Sequence, residues 1–260
     1  MAVTADTADL LGARHPDWIV PVWAGPARVR AFFTTRHGGI SSGATGTFDV
    51  GSARPGPADD IVAITENRRR LRELLPADPV WLHQVHGNDA VTITTAPAAP
   101  PAADAAVTRA ANTVLTVRTA DCLPIMLVDR AATVLAVAHA GWRGLAGGVV
   151  ESALAAMHVP ASDVVAWIGP AIGAQAFEVG ADVLAAYCVD DEAAAAFFKP
   201  WRDGKWMADL PGLARARLRR AGVSDVAGGQ WCTHADAARF HSHRRDPRAG
   251  RMALIAWLAA

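Results

Sequence analysis

Short apolar runs, punctuated by glycine, proline and hydroxyl residues, recur through the middle of the chain. Thr113 to Val117, Pro124 to Val128 and Val134 to Ala138 each read as a short buried strand, and Val164 to Ile168 and Met252 to Trp257 repeat the pattern further on. Helical spacing lies between them. From Asp59 and Asp60, both good N-cap residues, Ile61, Ile64, Leu71, Leu74 and Leu75 recur at near-helical intervals until Pro76. Leu145, Val149, Ala153, Leu154 and Met157 share one helical stripe, Ala181 to Tyr187 predicts a further helix, and Asp209 with Pro211 opens another that Gly222 closes. The first thirty residues read as an irregular lead-in followed by a strand, because Pro21 and Pro26 break any helix there.

Several strands in direct succession, without strict βαβ alternation, predict a mixed α/β (α+β) domain. No internal repeat is visible, and the Ala/Pro stretch from Ala96 to Ala103 is too short for a linker of much reach. The arginines Arg68, Arg69, Arg70 and Arg72 fall in the last turns of the predicted helix after Asp60, where cations suit the negative helix end, and read as a solvated face.

Composition narrows the class. With 260 residues, the chain buries roughly three quarters of its unfolded surface and needs no disulfide framework. Its 25 Lys and Arg balance 25 Asp and Glu, which argues against an extended basic face for nucleic acid, and 52% hydrophobic residues argue against disorder. Small-molecule partners are the expectation. Three cysteines are an odd number, and Asp6 and Asp9 stand where a signal peptide would carry basic residues, so a cytoplasmic location is expected. Apolar stretches such as Thr133 to Ala140 fall far short of the roughly 20 residues that span a bilayer, and no membrane partner is expected.

The informative chemistry lies at predicted strand ends. His86, Cys122 and His139 each sit beside a small or polar residue just after an apolar strand, where loops at one sheet edge converge. Two imidazoles and a thiolate are a recognised ligand set for a catalytic zinc with one position left open. The same atoms allow a Cys122–His139 nucleophile and base dyad, in which His86 has no necessary place, or plain structural roles. Asp121 could orient a histidine, act as general base or cap a turn. Gln84 lies on the same side of an extended chain as His86 and could touch substrate. Arg36, Arg143, Arg244 and Arg245 stand in polar or glycine-rich turns and could meet a phosphate, and Gly141 and Gly144 would permit close backbone approach to a ligand. Trp142 offers either a stacking face or core packing. Cys188 and Cys232 read as structural, and His15 and His158 as surface or helix-end residues. Neither a Walker-type nor a dinucleotide-type glycine loop occurs.

The segments Thr34-Thr35-Arg36-His37-Gly38-Gly39, Gln84-Val85-His86-Gly87, Thr119-Ala120-Asp121-Cys122-Leu123-Pro124, His139-Ala140-Gly141-Trp142-Arg143-Gly144, Gly169-Pro170-Ala171-Ile172-Gly173, Phe177-Glu178-Val179-Gly180, Ser242-His243-Arg244-Arg245-Asp246 and Gly250-Arg251-Met252 occur in that order. Together they resemble the YfiH-like family, long labelled laccase-domain or multicopper polyphenol oxidoreductase and more recently purine nucleoside phosphorylase. The resemblance implies a single layered α/β/β/α domain of the YfiH-like cysteine-hydrolase type over residues 30–260, after an N-terminal segment of residues 1–29. It implies a metal centre, zinc with copper possible, on the residues matching His86, Cys122 and His139, which would be catalytic, and Asp121, adjoining Cys122, joins them as a catalytic candidate. Arg36, Gln84, Arg143 and Arg244 would bind substrate or phosphate.

The activity implied is phosphorolysis of adenosine, inosine, guanosine and methylthioadenosine to free base and ribose-1-phosphate, with adenosine deaminase activity, in a monomer or small homo-oligomer. Rival readings are a copper polyphenol oxidase, a Cys/His hydrolase, and a non-enzymatic peptidoglycan-editing factor using the same pocket. The chain departs from the family pattern at Phe48-Asp49-Val50-Gly51, where relatives usually have Leu-Asn-Leu-Gly. It departs again at His241-Ser242-His243-Arg244-Arg245, where they often have Phe-Ser-Tyr-Arg-Arg. The extra histidines His37, His83, His241 and His243 could enlarge a metal-binding surface.

Overall fold

All seven residues of strand β5 (Leu123–Asp129) are buried, a pattern that arises when a sheet is covered on both faces. The computed structural model describes residues 3–12, 15–51, 60–189 and 191–260. In it β5 lies within a six-stranded sheet of order β11 (Asp225–Gly228), β7 (Val164–Ile168), β5, β6 (Leu135–Ala140), β3 (Ala105–Thr108) and β2 (Ala90–Thr92). The central pairings are antiparallel, while β11 with β7 and β2 with β3 are parallel. A second sheet is antiparallel throughout and has the order β1 (Val29–Phe33), β12 (Met252–Leu258) and β4 (Leu115–Thr119).

Side-chain alternation along these strands builds the layers. Met126, Val128, Val137, Val165 and Trp167 of the large sheet meet Phe33, Val117 and Leu254 of the small one. On the opposite face, Ile125, Leu127, Ala138 and Ala166 pack against helices α4 (Val149–Met157) and α6 (Leu210–Arg220). The outer face of the small sheet, with Phe32, Ala253 and Ile255, is covered by Leu11 of α1 (Val3–Leu11) and Leu71 of α2 (Ile61–Arg72). The result is the expected α/β/β/α order. Each wholly buried Leu, Ile or Phe in these layers contributes on the order of 1.5–3 kcal/mol relative to exposure.

Asp60 caps α2 by accepting from the Ala63 amide at 3.0 Å, and Asp209 caps α6 by accepting from Gly212 at 2.9 Å. Asp59, the other proposed cap, lies outside the described residues. The lead-in is not irregular throughout: α1 precedes Pro21 and Pro26, which therefore do not constrain it. The stripe from Leu145 to Met157 is one buried surface on two helices, α3 (Trp142–Ala146) and α4, separated where Gly148 takes the left-handed φ of 95°. Strand β3 was not anticipated, because its Ala105-Ala106 start lacks the β-branched residues that mark a strand. A small third sheet of β8 (Glu178–Gly180), β10 (Lys205–Ala208) and β9 (Phe198–Pro200) flanks α5 (Ala181–Cys188). The arginine run is only partly a solvated face. Arg69 and Arg70 pair with Glu66, but Arg68 donates to the Val50 carbonyl at 2.8 Å and lies 4.7 Å over the Trp81 ring. Among the described residues no helix is long and apolar enough to cross a membrane.

Candidate metal centre and its cavity

His139 sits inside β6, opposite Pro124, and not in a loop after the strand, because the β5–β6 ladder continues to Leu123 and Ala140. Its neighbours Ala138 and Ala140 face the helices, so alternation turns the imidazole toward the gap between the sheets. Cys122 immediately precedes β5 and is half-buried. His86 occupies a turn with φ 62°, in the left-handed region. One potential ligand atom from each of the three lies within 4.8 Å of the others, and the two imidazoles meet edge to face.

A fourth residue organises this cluster. Asp104 is completely buried just ahead of β3, and its Oδ1 lies 2.7 Å from His139 Nδ1. The same carboxylate accepts from the amides of Val85 at 3.1 Å, His86 at 3.1 Å and Gly87 at 2.7 Å. One side chain thus fixes the orientation of His139 and the turn that carries His86. Burial alone would raise the Asp104 pKa; the His139 contact and the amides hold it below the ordinary carboxylate range. Burial likewise opposes charge on Cys122, but the facing His139 and hydrogen bonds from His139 and His86 lower the thiol's pKa. Burial pulls His139 down, while Cys122 and Asp104 together raise it.

The motif glycines serve this packing. A Cβ on Gly144 would lie 2.5 Å from the Gly87 carbonyl oxygen, and one on Gly141 would lie 3.0 Å from Cys122 Sγ and 3.2 Å from His86 Cδ2. The close approach they permit is to the turn and the ligand cluster.

The cluster opens on a cavity of about 400 Å³, within the size range of small-molecule sites. Gln84, Arg118, Thr119, His243 and Arg251 complete its wall. Gln84 brackets the Arg118 backbone, donating to its carbonyl at 2.8 Å and accepting from its amide at 2.9 Å. The Arg118 guanidinium donates to the Leu82 carbonyl at 2.6 Å; burial, with repulsion from Arg68 and Arg251, pulls its pKa down to about 10, which leaves it protonated at neutral pH. Thr119 Oγ1 is buried and makes no hydrogen bond among the described residues.

The remaining sequence candidates are placed elsewhere. Asp121 adopts φ 92°, and its carboxylate takes Thr233 Oγ1 at 2.6 Å on Oδ1, with Ser242 Oγ at 3.1 Å and the Arg244 amide at 2.7 Å on Oδ2. Arg36 donates to the Ala237 carbonyl, Arg143 covers the Trp142 ring at 4.1 Å, and Arg244 donates to the Glu178 carbonyl. Arg245 binds the carbonyls of Thr233, His234 and Phe240. None of these four arginines belongs to the wall that His86, Cys122 and His139 share. His241 is fully buried with Nε2 donating to the Phe48 carbonyl, and His37 contacts the Ala238 carbonyl, so neither joins the cluster. Cys232 accepts from the amides of Gly173 and Ala235. Thr119 and Arg251 belong to the quoted motifs without a site role assigned to them, and Asp104 and Arg118 lie outside those motifs. The available signal for Asp104 was a lone acid at the front of an apolar Ala/Val run.

Two nitrogen donors and one thiolate, with the open side toward a cavity and one histidine backed by a carboxylate, suit a borderline divalent ion such as zinc, and accommodate copper. A four-layered α/β/β/α domain with such a His-Cys-His cluster at the end of its inter-sheet core defines the class. Residues 30–259 match the family model described as multi-copper polyphenol oxidoreductase laccase, and the chain belongs to that family. It is 46% identical over 243 residues to a purine nucleoside phosphorylase of Pseudomonas aeruginosa, covering 93% of this chain and 98% of that protein. It is 44% identical over 243 residues to the purine nucleoside phosphorylase YfiH of Escherichia coli K12, covering 92% and 98%. A solved Neisseria meningitidis structure aligns with TM-score 0.89 at 42% identity over 94% of this chain and all of that one. YlmD from Geobacillus stearothermophilus aligns with TM-score 0.82 at 31% identity, covering 96% and 98%.

Proposed function

We propose that the protein is a zinc-dependent purine nucleoside phosphorylase acting in the cytoplasm, with residues 30–260 as its catalytic unit. The observation that carries this reading is the convergence of His86, Cys122 and His139 on a cavity of about 400 Å³, with His139 fixed by buried Asp104. The names of relatives 43–46% identical support purine nucleosides and phosphate as substrates. Zinc on the three ligands would supply a Lewis acid beside the reacting groups. Asp104, 2.7 Å from His139 Nδ1, would accept the Nδ1 proton and so leave Nε2 free to hold zinc. Arg118 and Arg251 are the permanent cations of the wall and would hold phosphate against the ribose. A phosphate oxygen then bonds to C1′ as the C1′–N9 bond breaks, and the base leaves with that electron pair.

Adenosine, inosine, guanosine and methylthioadenosine fit the same description. Adenosine deaminase activity, in which water replaces the 6-amino group to give inosine and ammonia, belongs to the same pocket in this reading. Asp121, Arg36 and Arg244 act by tying distant segments together, and Arg143 by packing over the Trp142 ring. Zinc-replete protein with adenosine and phosphate is expected to yield adenine and ribose-1-phosphate. Cys122→Ala and His86→Ala should abolish this together with zinc binding, and the absence of phosphate-dependent product from the wild type would overturn the reading.

A second reading is favoured by the hydrogen-bonded order Cys122, His139, Asp104, which is also that of a thiol hydrolase. It requires turnover in metal-free protein that iodoacetamide abolishes.

A further inference from the structure

Phosphorolysis carries a requirement that neither the metal ligands nor the arginines meet. The purine departs with the electron pair of its glycosidic bond and has to be protonated as it leaves. Among the described residues of the cavity wall, His243 is the one side chain outside the ligand set whose chemistry suits a general acid. Gln84 and Thr119 hold their protons too firmly, and guanidinium groups do not release theirs. Asp121 is not in the wall, and both its oxygens already accept hydrogen bonds.

The local structure also fixes where His243 stands. Ser242 Oγ and the Arg244 amide, on either side of it, both bond to Asp121 Oδ2, and Asp121 adjoins Cys122 in the chain. One carboxylate therefore ties the His243 backbone to the strand end that carries a metal ligand, while the imidazole stays exposed on the cavity.

We propose that His243 is the proton donor to the departing purine base, an inference that rests on the phosphorylase reading. The C1′–N9 bond breaks with both electrons going to the base, a phosphate oxygen bonds to C1′, and the imidazolium proton of His243 passes to purine N7. Solvent returns a proton to the exposed ring.

The test compares inosine with 7-methylguanosine, whose base is already cationic and leaves as a neutral molecule with no proton added. His243→Phe and His243→Gln are each expected to lower kcat for inosine by about 100-fold or more, with kcat for 7-methylguanosine changed less than about threefold. Zinc content should equal that of the wild type by elemental analysis. Equal losses on the two nucleosides, no loss on either, or loss of zinc with His243 would overturn the proposal. Failure of the phosphorylase reading looks different: the wild type would then release no base from either nucleoside in a phosphate-dependent manner, and both ideas would fall.

Discussion

Asp104 Oδ1 stands 2.7 Å from His139 Nδ1, and the same carboxylate gathers the three consecutive amides of Val85, His86 and Gly87. Two metal-ligand candidates from distant parts of the chain are therefore referenced to one buried side chain. An amide in its place accepts with one oxygen instead of two and carries no charge. Asp104→Asn is expected to weaken zinc binding about 10- to 100-fold, the usual consequence of losing a carboxylate behind a ligating histidine, and to lower the melting temperature. Competition with a chromogenic chelator and a thermal melt measure the two effects. Unchanged zinc affinity would mean that the His139 orientation is set by its strand alone.

Gly144 meets Gly87 backbone to backbone, with 2.5 Å between an added Cβ and the carbonyl oxygen, so no side-chain rotation relieves the clash. Gly144→Ala should cost about 1–3 kcal/mol, the range for overpacking a close contact, and should lower zinc occupancy because the His86 turn has to move. Denaturant unfolding and metal analysis on the same preparation check this. A stable variant with full zinc would show that the turn has room to shift.

Two-sided burial leaves a legible pattern in this sequence, whereas chemistry that depends on contacts between distant segments does not. β7 runs over the expected Val164–Ile168, and β5, β6 and β12 fall within a few residues of their apolar runs, because continuous apolar residues are what a doubly covered sheet demands. The caps Asp60 and Asp209 were visible because capping is local. His86, Cys122 and His139 were found by residue type, and the structure brings them together. Glycine-rich and polar turns single out the arginines, yet Arg36 and Arg244 donate to the carbonyls of Ala237 and Glu178, distant segments that no local pattern reveals. Arg118 stands just past the predicted strand Thr113 to Val117; the structure extends the strand to Thr119 and makes Arg118 part of the cavity wall.

His241 is fully buried, and burial, with Arg36, Arg251 and Arg245 nearby, brings its pKa down from 6.5 to about 4. Below pH 6.5 the unfolded chain takes up a proton there that the folded chain refuses until about pH 4. The neutral imidazole's contribution is therefore complete above pH 6.5, is lost as pH falls toward 4, and is flat below that. The loss amounts to about 3 kcal/mol. His241→Phe should remove this part of the slope, so that wild type and variant diverge between pH 7 and pH 4 in denaturant titrations. Parallel curves would place the acid sensitivity elsewhere.

Asp121 separates two roles that the sequence left open. As a general base it would lose about 10²- to 10⁴-fold in kcat on conversion to asparagine, with little change in stability. Its carboxylate instead holds Thr233, Ser242 and the Arg244 amide together, and hydrogen bonds to a buried charge are worth about 1.5–3 kcal/mol each when broken. Asp121→Asn retains the shape but presents an amide NH2 toward groups that are themselves donors. Stability should therefore fall by about 2 kcal/mol or more, with zinc stoichiometry retained and a smaller loss in kcat than a base would show. A double-mutant cycle with Ser242→Ala completes the argument. Coupling of about 0.5 kcal/mol or more between the two positions is the signature of the clamp, whereas strict additivity would assign the stability loss to Asp121 alone.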